Sequence, residues 1–296
     1  MRTANEIGKL VIVGVGLIGG SFALALKGAK AVREVLGVGR TGANIRRAVK
    51  LGVIDAAGAL DAATLGDADL VLVATPVGQM ASVFHALAPL VGANTVVTDA
   101  GSTKQDVIAV ARRALGAALP RFVPAHPIAG TEKSGAEAAI AGLYRGRKVV
   151  LTPLAETQKS AVELVRSAWR QCGADVVELP PERHDAILAA VSHLPHVLAY
   201  ALVHQVATHP SAEQQFGFAA GGFRDFTRIA SSHPEMWRDI CLANREALIG
   251  ELDRYAGELA DVRSMLERGD AAALERLFSQ ARAARERWLK GETGSA

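Results

Sequence analysis

The chain has 296 residues, half of them hydrophobic and 21% charged, a balance that can bury a sizeable core and excludes disordered, collagen-like and low-complexity classes. At roughly 150 residues per domain, this length suits two domains. The formal charge of +3 is small, Lys and Arg are interleaved with Asp and Glu, and aromatic residues make up only 5% of the chain, so neither a basic block nor a base-stacking platform marks a nucleic-acid partner.

Apolar runs are short and broken by Gly, Pro or charge, below the roughly 18 residues of a membrane span. The opening MRTANEIGKL lacks the apolar core of a signal peptide. A cytoplasmic protein without a membrane partner is therefore expected. Cys172 and Cys241 lie in different halves with no CxxC spacing, which suggests neither a disulfide framework nor a zinc site. Both are expected to be reduced and packed, with no metal bound. The slightly basic balance suits an anionic small molecule.

Ile7 to Val13 is a nearly continuous apolar run, the mark of a strand covered on both faces. A Gly-rich turn follows, then a Leu- and Ala-rich helix over Leu17 to Lys27 and a second strand over Glu34 to Gly39. The alternation continues with helices at Gly42–Leu51, Val77–Leu90 and Thr103–Leu115, and strands at Leu70–Ala74 and Thr95–Thr98. Strands at Arg121–Ala125, Lys148–Thr152 and Ala174–Leu179 and a helix at Lys159–Gln171 extend it. Such alternation predicts a doubly wound parallel sheet of the Rossmann type. After Pro180-Pro181 the pattern turns helical, over His184–Ala207, Ala243–Leu266 and Ala271–Leu289. The expected boundary is near Leu179: a dinucleotide-binding domain over 1–179 and an all-helical substrate and dimerisation domain over 180–296. Apolar stripes on several of these helices predict a homodimer. The closing GETGSA reads as a flexible end.

Gly14, Gly16 and Gly19 form G-x-G-x-x-G straight after a strand and at the opening of a helix, the context the dinucleotide fingerprint requires. The first glycine permits the tight turn, the second lets backbone approach a pyrophosphate, and the third allows close helix–strand packing. The candidate cofactor contacts are Gly14, Gly16, Leu17, Ile18, Gly19, Arg40 and Thr75. An acidic residue at the second strand tip would bond the ribose of NAD, but this tip reads Gly39-Arg40-Thr41. Arg40 can pair with a 2′-phosphate, so NADP is favoured over NAD. Arg46 and Arg47 can assist or form a solvated face.

Other polar groups gather at strand tips, where open α/β sheets bind ligands. His126 stands between Pro124 and Pro127 in a loop expected after a parallel strand, held on stiff backbone. It reads as a catalytic group or as a ring satisfying a buried carbonyl. Ser102, in DAGSTK (Asp99 to Lys104), is expected at a helix start, where its bland role is an N-cap. In SHLPH (Ser192 to His196), His193 and His196 share a helix face if the helix continues through Pro195. Arg224 and Arg228 lie in a Gly-rich stretch, where a guanidinium can clamp a carboxylate.

Taken together, GVGLIGGS (Gly14 to Ser21), DAGSTK, HPIAGTEKSG (His126 to Gly135), SHLPH and GGFRDFTRIA (Gly221 to Ala230) resemble the prephenate/arogenate dehydrogenase family of tyrosine biosynthesis. The likeness covers nearly the whole chain, and HPIAGTEKSG and DFTRIA are far more specific than the glycine triplet. It implies oxidative decarboxylation of a cyclohexadienol with hydride transfer to NAD or NADP. By motif match, His126 would accept a hydrogen bond from the 4-hydroxyl and take its proton, and Ser102 would hold that ring or hydroxyl. Arg228 would bind a substrate carboxylate, while His193, His196, Glu132 and Trp237 would line or gate the pocket. Only a short tail follows Leu289, so any control by tyrosine is expected at the active site itself. Two alternatives remain: a β-hydroxy-acid dehydrogenase, which typically carries a catalytic Lys where this chain has paired His, and a non-catalytic dinucleotide sensor, expected to lack His126 or Arg228.

Overall fold

The structure, a computed structural model, describes residues 7–131 and 133–291. Glu132 and all of the GETGSA tail but Gly291 lie outside the described residues. The chain begins with β1 (Ile7–Val13), α1 (Leu17–Gly28), β2 (Val32–Val38), α2 (Gly42–Lys50), β3 (Ala56–Ala57), α3 (Ala62–Leu65), β4 (Leu70–Val73), α4 (Val77–Leu87), β5 (Val96–Asp99) and α5 (Gln105–Ala114). Then come β6 (Phe122–Val123), β7 (Ala125–Pro127), β8 (Lys148–Leu151), α6 (Lys159–Gln171) and β9 (Asp175–Glu178). β1 and α6 lie where their apolar patterns put them, while β3 and α3 carry no pattern long enough to read.

Six strands form a parallel sheet in the order β3-β2-β1-β4-β5-β6. The order reverses between β1 and β4, the crevice where such sheets bind dinucleotides. One face is covered by a core that includes Phe22 and Trp169, ring centroids 4.5 Å apart, and Tyr144, 5.0 Å from Trp169. The other is covered by α4 and α5 through Met80, Phe84, Leu87, Val107 and Ala111. Burial on both faces explains the unbroken apolar run of β1.

The last strands depart from the expected single sheet. Pro124 interrupts the stretch read as one strand at Arg121–Ala125, because Pro has no N–H to continue the ladder. β6 stays in the large sheet, whereas β7 starts a second one in the order β7-β8-β9, antiparallel to β8, with β8 parallel to β9. His126 thus lies within strand β7, opposite Val150, rather than in a loop.

The remainder is helical: α7 (Pro181–Leu188), a π turn (Ala189–His193), α8 (Leu194–Ala207), α9 (Ala212–Gly217), α10 (Gly221–Thr227), a 3-10 turn (Arg228–Ser231), α11 (Pro234–Ala243), α12 (Arg245–Glu267) and α13 (Ala271–Leu289). The Gly221-Gly222 pair opens α10. Helical structure runs from Pro181 to Ala207, and by length and composition this run could cross a membrane, longer than the apolar runs suggested. It continues through Pro195, which lies in the first turn of α8 directly after the π turn, and it buries His184, Asp185 and His193. By packing, the chain divides into a unit ending at Ala247 and one beginning at Leu248.

Candidate active site

At the carboxyl end of β1 the chain turns at Gly14, whose φ of +101° favours glycine. A Cβ there would meet the Ala74 carbonyl oxygen at 2.7 Å, and one at Gly19 would meet the Gly14 carbonyl oxygen at 2.5 Å. At Gly16 nothing lies within 4 Å of that point. Gly16 is the N-cap of α1, and the first turn, with Leu17 and Ile18, has no side-chain cap and no acidic residue. Its first-turn N–H groups therefore have no side-chain acceptor, an arrangement suited to an anion. Beyond the tip of β4, the buried Thr75 Oγ1 has no hydrogen-bond partner among the described residues, a polar atom left for a ligand. Arg40 is exposed between β2 and α2. Arg47 instead meets Glu137 at 2.6 Å. These features fit a bound dinucleotide.

A second cluster surrounds His126. On the side of β7 away from β8, the Ala125 N–H donates to Asp99 Oδ1 at 3.0 Å, and the Ala125 carbonyl accepts from Lys104 Nζ at 2.7 Å. Lys104 and Asp99 are fully buried and ion-paired. They hold the backbone beside His126 from both its donor and its acceptor.

His126 Nδ1 lies 2.8 Å from His184 Nε2, and His184 Nδ1 lies 2.7 Å from Asp185 Oδ1. Asp185 also accepts the backbone N–H groups of Lys104 at 2.8 Å and Gln105 at 2.9 Å, so it caps α5 from α7. That displaces Ser102 from the expected N-cap position: α5 begins at Gln105, and Ser102 sits half-buried in the preceding loop. Burial, with the neighbouring His184 and Lys104, pushes the His126 ring well below the usual imidazole value, so it is neutral near pH 7. Burial works to raise Asp185, but the hydrogen bonds from His184 and the α5 backbone outweigh it and hold the carboxyl below the usual range.

The π turn and α8 bring the other imidazoles together. Asn244 Nδ2 donates to the Asp185 carbonyl at 2.8 Å and to His193 Nδ1 at 3.1 Å. His193 therefore carries its proton on Nε2, and burial pushes its ring down to about 4. His196 stacks on Trp237, with centroids 3.5 Å apart and planes 18° apart, while His193 meets the same indole edge-on at 6.1 Å. Both imidazoles thus face one ring. Burial lowers His196, and the charge of Arg228 lowers it further, which brings Arg228 into the same neighbourhood. Arg228 lies on the 3-10 turn after α10.

Sequence reasoning missed Asp99, Lys104, His184, Asp185 and Asn244 as parts of this cluster. The available signal was the pairing of His184 and Asp185 at the head of an otherwise apolar helix, where buried polar groups need partners.

The family models described as the prephenate dehydrogenase nucleotide-binding domain and dimerization domain match residues 22–178 and 180–280. A prephenate dehydrogenase of Bacillus subtilis is 40% identical over 92% of this chain and 74% of its own. A cyclohexadienyl dehydrogenase of Zymomonas mobilis is 36% identical over 93% and 94%. The crystal structure of prephenate dehydrogenase from A. aeolicus in complex with hydroxyphenyl propionate and NAD+ superposes with a TM-score of 0.88 at 36% identity, covering 94% of this chain and 97% of that one. A dinucleotide crevice followed by a dimerization region, matched along nearly the whole length, places this chain in the prephenate dehydrogenase family.

Proposed function

We propose that the chain catalyses NAD(P)-dependent oxidative decarboxylation of prephenate and, to some extent, arogenate, giving 4-hydroxyphenylpyruvate or tyrosine in tyrosine biosynthesis. The observation that carries this reading is His126, a neutral and partly accessible imidazole on a doubly pinned strand, in a chain of this family. Gly14, Gly16, Leu17, Ile18, Gly19 and Thr75 are the groups that hold the dinucleotide. When bound, it accepts hydride from the ring carbon that bears the 4-hydroxyl.

His126 takes the hydroxyl proton as the general base. Loss of the ring carboxylate as carbon dioxide then leaves a phenolate, and the proton returns from His126 to that oxygen, so the reaction releases no net proton. Ser102 holds the hydroxyl or the His126 ring. Arg228 pairs with a substrate carboxylate, and His193, His196 and Trp237 line the ring pocket. Neutral imidazoles keep the pocket polar without adding competing positive charge.

The exposed Arg40 pairs with a 2′-phosphate, which makes NADP the preferred cofactor. Residues 1–179 form the dinucleotide-binding domain and 180–296 the substrate and dimerisation domain of a cytoplasmic homodimer. The test is a grid of purified protein with prephenate or arogenate against NAD or NADP, read by the absorbance of the reduced nicotinamide. Turnover is expected with prephenate, fastest with NADP and weaker with arogenate. Activity on arogenate alone would contradict the substrate assignment, and silence in all four would remove the function.

A further inference from the structure

His184 and Asp185, 0% and 1% exposed, have no role in the binding steps above, yet their hydrogen bonds have only one consistent direction. Ionised Asp185 can only accept. It receives the N–H groups of Lys104 and Gln105 and the Gln105 amide at 3.3 Å. His184 Nδ1 must therefore donate to it. Burial and the charge of Lys104 keep the His184 ring neutral, against the pull of Asp185, so its Nε2 is a lone pair. The 2.8 Å contact with His126 Nδ1 is then attractive only if His126 donates.

We propose that His184 and Asp185 are positioning residues that fix His126 as its Nδ1–H tautomer, so that Nε2 is the lone pair offered to the substrate hydroxyl. The opposite tautomer would set two lone pairs against each other or require a proton on Asp185. The charged and titratable groups around His126 agree. His184 and Asp185 come from α7, Lys104 and Asp99 from β5 and its following loop as a neutralised pair, and His193 from the π turn as a neutral ring.

The chain of imidazoles ends at a buried carboxylate, not at solvent. A proton taken at Nε2 thus has no exit along this route. It stays where the phenolate can recover it, which the balance of the reaction requires. When His126 is protonated, its Nδ1–H bond to His184 strengthens, as charge-assisted hydrogen bonds do. The pair therefore orients the base in the resting state and stabilises its charged form.

This proposal rests on His126 being the base, but the tautomer can be read without turnover. In histidine-labelled protein near neutral pH, 15N resonances of the His126 ring, assigned against His126→Asn, are expected to show a protonated Nδ1 and an unprotonated Nε2. In His184→Phe, which removes the acceptor, the ring should become a mixture of tautomers. kcat should then fall about 100-fold with KM within about twofold. In His184→Gln, whose amide oxygen can accept from Nδ1–H, the tautomer and about a tenth or more of the lost kcat should return. A wild-type His126 protonated on Nε2 overturns the proposal even if neither variant folds, as does a folded His184→Phe enzyme with unchanged kcat. Silence of the wild-type enzyme in the substrate grid would instead strike the functional reading and leave the resonances to decide the tautomer.

Discussion

At the scale of single residues, chemistry and affinity separate cleanly. On the proposed mechanism His126→Asn removes a base that acts in the transition state, so kcat should fall about 100-fold or more while KM changes little; wild-type turnover in steady-state assays would refute that role. Arg40→Ala should raise the Kd for NADP by about 10-fold or more and leave NAD nearly unchanged, because only NADP offers a 2′-phosphate. Equal losses in a titration of both would make Arg40 a surface residue. Some of these residues were legible in the sequence because they occupy motifs whose neighbours signal a turn or a rigid backbone. His184 and Asp185 were not. Their partners, His126 and the Lys104–Gln105 backbone, lie 58 and 80 or more positions away, a distance that no local pattern spans.

Among the elements, the glycine turn offers a test in which stability and binding move independently. At Gly16 a Cβ would point into open space, at a backbone φ of −118° that alanine tolerates. Gly16→Ala should therefore keep its Tm and lose NAD(P) affinity, because the methyl would occupy the approach to the pyrophosphate. At Gly19 the same methyl would press on the Gly14 carbonyl and Ile12, and backbone cannot yield cheaply. Gly19→Ala should cost about 1–3 kcal/mol in denaturant melts. Equal cofactor binding by Gly16→Ala and wild type in calorimetry would count against the turn as the diphosphate site. Long periodic elements such as α6 were readable from the chain because their apolar spacing is their packing face. The segment from Ser211 to Ala243 was not, because α9 and α10 are short and bury no residue. The switch at Pro124 was also hidden, since one apolar stretch feeds two sheets and only the missing N–H separates them.

For the molecule as a whole, the buried imidazoles tie stability to pH. His193 is held at about 4 against an ordinary 6.5, and burial lowers His126 and His184 too. Between those values the unfolded chain binds more protons than the folded one. The stabilisation is thus complete above about pH 6.5 and lost as the pH falls toward 4, with Asp185, also depressed, adding a loss at still lower pH. His193 alone represents about 3 kcal/mol. The Tm should drop by several degrees between pH 7 and about 4.5, as read by calorimetry, and a flat Tm would mean that the rings are not neutral in the fold. The buried Asp99–Lys104 pair carries a different consequence, one for how the two sheets are joined. β7 is the edge of its sheet, and the Ala125 donor and acceptor on its outer side are both taken by that pair. Side chains from the end of β5 thus take the place of a neighbouring strand and fasten the small sheet to the large one inside the core, where Ala125 is fully buried. Losing either partner leaves the other as a lone buried charge and frees a buried backbone group of Ala125, so the damage would fall on the seam between the two sheets and on the strand that carries His126.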